Sequence, residues 1–184
     1  MKRIPPLLGM AVVLVAACSR AEDATERGSP VAMKLSSPAF VEGKAVPVKH
    51  AGQGEDVSPA LKWEGAPEGV KSFAMICDDP DAPVGTWVHW IIWNIPGTAK
   101  ELTEHVASMK ELPDGARQGM NDFRRIGYGG PMPPPGKAHR YYFKLYALDA
   151  SVGLAPGATK ADLLKAMDGH IVAQAQLMGT YQRR

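Results

Sequence analysis

The chain has 184 residues, 45% of them apolar and 22% charged, with a formal net charge of +2. This is the length of one domain, and the balance excludes a disordered chain, a collagen-like repeat and a multi-pass membrane protein. Two of the basic residues, Lys2 and Arg3, stand at the extreme N-terminus; the rest carries 19 basic and 19 acidic residues, without the basic face that nucleic-acid binding needs.

The chain opens on an export signal. Lys2 and Arg3 precede an apolar run over residues 7–17. As a helix that run spans about 16 Å, too short for an apolar bilayer core of about 30 Å. A basic start, a short apolar run and small residues at its end mark residues 1–17 as a signal peptide. Val15-Ala16-Ala17-Cys18 resembles a bacterial lipobox, in which the cysteine becomes the lipidated first residue and ties the protein to a membrane. Ser19 rather than Asp follows, which favours the outer membrane in a Gram-negative host. Residues 18–31 are small and polar without periodicity, so they read as a tether carrying a folded domain over 32–184. The expected location is the periplasmic side of a bacterial membrane.

The domain reads as short strands separated by turns. Strands are expected at 32–35, 61–63, 71–77, 88–95 and 139–148. Residues 88–95 (VHWIIWNI) are apolar on both faces, which predicts a central strand covered on both sides. In 139–148 the odd positions His139, Tyr141, Phe143, Leu145 and Ala147 form one inward face, and Arg140 and Lys144 fall on the other. One helix is predicted over 160–167, with Thr159 as N-cap, Asp162 in the first turn and Gly169 as the stop. Residues 171–177 read as a last strand, with a helix as the alternative. The 19 glycines and 16 prolines supply the turns, and the fold class is mainly β, a sandwich or barrel. Cys77 lies in an apolar run and reads as a buried small hydrophobe.

Two clusters carry the chemistry. The first is Asp78-Asp79-Pro80-Asp81-Ala82-Pro83 followed by His89. Its carboxylates repel unless they are paired, and a carboxylate beside an imidazole fixes the ring's tautomer. The second runs from Gly127 through Gly129, Gly130, Pro131 and Met132 to Gly136, then His139. Its glycines can offer backbone N–H groups and its prolines stiffen the loop. No Gly-Lys-Ser/Thr follows, so it is not a nucleotide-binding P-loop. Three chemistries fit a pocket shared by the clusters. In order, they are an anion site on His89, His139 and glycine N–H groups, a metal site on both histidines with Asp79 or Asp81, and a hydrolase. The hydrolase comes last because neither a Gly-x-Ser-x-Gly nor a His-Glu-x-x-His pattern is present.

These residues resemble the phosphatidylethanolamine-binding protein family, also called Raf kinase inhibitor protein-like, in its bacterial YbhB/YbcL branch. The resemblance runs from about Met33 to Tyr181. It rests on Ser58-Pro59-Ala60-Leu61-Lys62-Trp63, Asp79-Pro80-Asp81-Ala82-Pro83 with His89-Trp90, Gly119-Met120-Asn121-Asp122-Phe123, Tyr128-Gly129-Gly130-Pro131, His139-Arg140-Tyr141 and Gly179-Thr180-Tyr181. It implies an antiparallel β-sandwich of Greek-key character with a few short peripheral helices. It also implies a small anion pocket lined or supported by Asp79, Asp81, Pro83, His89, Gly129, Gly130, Pro131, His139 and Tyr141. Met132, where several bacterial relatives carry a small residue or cysteine, is expected to narrow it. The resemblance implies a binding or regulatory module for a phospholipid head group or a phosphorylated ligand rather than an enzyme, and a homodimer in the manner of bacterial members. The alternative is an inhibitor-type protein that docks on a protein partner through its proline-rich loop.

Overall fold

A computed structural model of the chain describes residues 32–183, besides Met1. The expected signal peptide, Cys18 and the tether fall on residues outside those described. Among the described residues the strands are β1 (Lys34–Ser36), β2 (Leu61–Glu64), β3 (Ser72–Asp79), β4 (Trp87–Pro96), β5 (Glu101–Leu102), β6 (Arg117–Gln118), β7 (His139–Leu148) and β8 (Ile171–Tyr181). One helix, α1 (Lys160–Met167), lies between β7 and β8.

The strands form two antiparallel sheets, one of order β1-β2-β5 and one of order β6-β4-β3-β7-β8. Alternation along the strands decides what each face buries. Phe73, Met75 and Cys77 of β3, with Tyr141, Phe143 and Leu145 of β7, meet Leu35, Leu61 and Trp63 between the sheets. Ala74 and Ile76 of β3 face the other way and pack with Trp93 under Leu163 and Met167 of α1. The large sheet is therefore covered on both faces, and burying each such side chain stabilises by about 1.5–3 kcal/mol. Helix α1 starts as its sequence predicts. Thr159 and Asp162 form a reciprocal capping box, and hydrogen bonds from Thr159 hold the Asp162 carboxyl below its usual range.

The mainly β, two-sheet architecture and the inward odd face of β7 are as expected. Strand β4 is an interior strand buried on both faces, as expected, lying between the two-residue β6 and β3, which is itself buried throughout and is the middle strand of the five. The last element is a strand, as expected, and runs on to Tyr181 in its pairing with β7, so the helical alternative is wrong. Two short strands differ. The short β5 and β6 carry no periodic signal and were not expected; two residues are too few to alternate.

Candidate functional site

The site lies at one end of the large sheet, where β3 ends, β4 starts and β7 starts. Asp79 closes β3, and residues 80–86 turn the chain into β4. The register of that pair passes from Cys77 opposite Trp90 to Asp78 opposite Val88, so His89 is the extra residue of a β-bulge. The bulge puts His89 on the same side as Trp90, toward Tyr141.

His89 is buried and fixed from two directions. Its Nδ1 lies 2.6 Å from the Gly129 carbonyl. A carbonyl only accepts, so Nδ1 carries the proton and Nε2 is the free nitrogen. The Gly129 N–H returns a hydrogen bond to the His89 carbonyl at 2.9 Å. Phe123 and Tyr141 stand edge-on to the imidazole, with centroids 5.2 and 5.1 Å away. Phe123 is held by its neighbour Asp122, which accepts from the Val88 N–H and donates its own N–H to the Val88 carbonyl. Burial pushes the His89 pKa below the ordinary histidine value, with the Gly129 hydrogen bond opposing it.

His139 is tied through Asp79. The Asp79 carboxylate accepts from His139 Nδ1 and from the Asp81 N–H, both at 2.8 Å. Asp81 in turn accepts from the Arg140 backbone N–H and from its guanidinium at two points, 2.9 Å at Nε and 2.7 Å at the terminal nitrogen. That clamp lowers the Asp81 pKa to about 2. Neither His89 nor His139 has a hydrogen-bond partner on Nε2 among the described residues. The Tyr141 hydroxyl is buried without a partner too, as is Trp87 Nε1. Burial, and then the Asp79 carboxylate, raise the Tyr141 pKa, which keeps the hydroxyl protonated and able to donate.

These groups line a pocket of about 180 Å³. Drug-sized ligands occupy about 300–1,000 Å³, so this pocket suits a group of a few heavy atoms. Asp79, His89, His139 and Tyr141 form the polar part, and Trp87, Phe123, Met132 and several prolines form the apolar wall.

Of the residues named from the sequence, Asp79, Pro83, His89, His139 and Tyr141 line the pocket. Asp81, Gly129, Gly130 and Pro131 stand behind it. The glycine N–H groups correct one expectation. Gly129 spends its N–H on His89, and Gly130 donates to Asp56 at 2.6 Å, so neither N–H is left for a ligand. Their glycine character reflects close packing. A Cβ on Gly130 would stand 2.3 Å from the His50 carbonyl oxygen, and one on Gly129 would stand 2.7 Å from the Phe123 ring. Pro131 accepts from the Gly52 N–H, which pins the start of the proline loop. Met132 lies on the pocket wall, as expected, and is 43% exposed. Sequence reasoning missed Trp87 and Phe123. Trp87 was within reach, since it stands two residues before His89 on the same strand; Phe123 comes from a loop with no periodic signal. The suggested metal ligands do not assemble: among the described residues no three His, Cys, Asp or Glu side chains are grouped to hold an ion. Cys77 is buried, as expected, and burial raises its thiol pKa well above the ordinary value.

Comparison with known proteins identifies the family and the fold. The family model for phosphatidylethanolamine-binding protein matches residues 36–182. The chain is 49% identical over 151 residues to a UPF0098 protein of Methanothermobacter thermautotrophicus, covering 82% of this chain and 99% of the relative. It is 47% identical over 153 residues to a UPF0098 protein of Aquifex aeolicus, covering 82% and 89%. Among solved structures it is similar to a putative phosphatidylethanolamine-binding protein homologue of Chlamydia trachomatis, at 42% identity and a TM-score of 0.76 over 83% of this chain and 99% of that one. It is equally similar in fold to YbcL of E. coli, at 35% identity, TM-score 0.76 and the same coverage. The chain belongs to the phosphatidylethanolamine-binding protein family, and within it to the YbhB/YbcL-like members.

Proposed function

We propose that the protein is an exported binding module whose pocket takes a small phosphate-like anion, either free or as the head group of a phospholipid or phosphorylated molecule, and that it is not an enzyme. The observation that carries this reading is the convergence, on one small pocket, of two imidazoles whose Nδ1 atoms are already engaged and the buried Tyr141 hydroxyl, which has the Asp79 carboxylate nearby but no hydrogen bond of normal geometry. An unsatisfied buried donor costs free energy unless something accepts from it. A phosphate oxygen accepts from Tyr141, and its other oxygens meet the two Nε2 atoms. A neutral imidazole offers only a lone pair at Nε2, so binding either recruits a proton to the ring or selects an anion that brings one.

Titration calorimetry with inorganic phosphate tests this reading. Each charge-assisted hydrogen bond is worth about 1.5–3 kcal/mol, so replacing His89 and His139 together by alanine is expected to weaken binding by about a hundredfold or more. Unchanged affinity in the double variant would refute it. The exposed tip at Pro134, Pro135 and Gly136 supports a second reading, docking on a protein partner through the proline loop. Such docking would survive the histidine substitutions.

A further inference from the structure

We propose that the outer face of β7 and β8 is a second binding site, for a saccharide that carries a carboxylate, and that it works independently of the pocket. The register sets Tyr146 opposite Gln174 and Lys144 opposite Gln176. Residues directly opposite each other point to the same side of a sheet, so the four side chains form one block. Tyr141, Phe143 and Leu145 take the other side, toward the core and the pocket. The block lines a cavity of about 500 Å³. That lies within the range of small-molecule sites, about 300–1,000 Å³.

The charge of this face comes from β3 and α1. Asp78 is buried, and its carboxylate accepts from the ammonium groups of both Lys144 and Lys160. One negative charge against two positive charges leaves one positive charge over. Lys144 presents it to the cavity, with its side chain 32% exposed. Two of its three N–H donors go to Asp78, at 2.8 and 3.0 Å, and the third is left. Asp78 thus holds the ammonium in place, which reduces the freedom that binding must remove.

The rest of the wall selects a sugar. Gln174 and Gln176 are exposed, and each amide offers two donors and an acceptor. A sugar hydroxyl both donates and accepts, so neighbouring hydroxyls match neighbouring amides. Tyr146 is half-buried and adds an apolar ring with a polar tip. Burial raises its pKa, with Lys144 opposing, so the hydroxyl stays protonated and donates. A carboxylate on the sugar takes the spare Lys144 donor in a charge-assisted bond. An extended peptide is poorly served here, because the backbone groups of a sheet lie in its plane rather than on its face.

NMR titration of the full chain with Cys18→Ala tests the proposal, with trigalacturonate, neutral galactotriose and triglutamate as probes. Trigalacturonate is expected to give saturable shifts at the Gln174 and Gln176 side-chain amides. Galactotriose is expected to bind there about tenfold or more weakly, the worth of one charge-assisted hydrogen bond. Triglutamate should leave both amides unmoved. Q174A/Q176A changes exposed positions only and is expected to weaken trigalacturonate about tenfold. Lys144→Met keeps the stem and leaves Asp78 paired with Lys160, so it should erase the preference for the acidic sugar. Phosphate titrated into the same samples should bind as before, so the pocket reading and this one can fail separately. No saturable shift with trigalacturonate, equal binding of the two sugars, triglutamate binding as tightly, or an affinity that Q174A/Q176A retains would overturn the proposal.

Discussion

Asp78 and Asp79 are consecutive residues of β3 whose carboxylates stand on opposite faces of the sheet. Asp79 faces the pocket and accepts from His139 at 2.8 Å. Asp78 faces α1 and is held by Lys144 of β7 and Lys160 of the helix. Asp81, two residues on, is clamped by Arg140. The acidic run is thus three separately held carboxylates rather than one solvated turn: Lys144 and Lys160 pair with Asp78, Arg140 pairs with Asp81, and Asp79 accepts hydrogen bonds from His139 and the Asp81 N–H.

Removing Asp78 leaves two lysines facing a buried site, where the carboxylate is 1% exposed. Asp78→Ala is expected to cost roughly 2–3 kcal/mol in urea unfolding, less than for a fully buried pair because both lysines are partly solvated. Phosphate affinity should not change, since the residue lies outside the pocket.

The two loop glycines should separate by the firmness of what their Cβ would meet. Gly130→Ala drives into the His50 backbone and is expected to destabilise by about 1–3 kcal/mol or to prevent folding. Gly129→Ala meets the Phe123 ring, which can turn aside. That variant should fold and bind phosphate more weakly, because Phe123 leaves the His89 imidazole. Thermal melts with and without phosphate distinguish the two.

The Asp81 clamp predicts an acid-side signature. Its folded pKa is depressed to about 2 from the ordinary 3.8, so its contribution is present above 3.8 and lost as the pH falls toward 2. Asp81→Asn should lower the urea midpoint at pH 6 and give the wild-type midpoint near pH 2. The same variant frees the turn that carries Pro83 and Val84, so it should also weaken anion binding.

The proposed export and anchoring rest on the sequence of residues 1–18. Expressed in a bacterium, the chain is expected to incorporate labelled palmitate and to fractionate with membranes, and Cys18→Ala to lose both properties.

Much of the fold was legible because periodicity reports burial. The inward face of β7 and the capped helix α1 follow from spacing alone, and the two-sided burial of β4 follows from its apolar run. What spacing could not supply was lateral order: nothing in VHWIIWNI says that β3, not β4, occupies the middle of the sheet. In the site, His89 and His139 were legible because each adjoins a rigid loop. The use of the glycine N–H groups was misjudged, because a glycine needed for close approach of two protein segments looks the same in sequence as one that cradles a ligand. Phe123 reaches the pocket through a loop held by Asn121 and Asp122, a relationship that exists only in three dimensions.

The most direct test of the anion pocket is an NMR titration of the His89 and His139 rings with inorganic phosphate at several pH values. Burial lowers the free His89 pKa below 6.5, and a bound anion stabilises the protonated ring and raises it. Affinity should therefore be greatest at acid pH and fall as the pH rises through the bound-state value, with saturable shifts at both rings. Phosphate that leaves both rings unmoved at every pH would contradict the account.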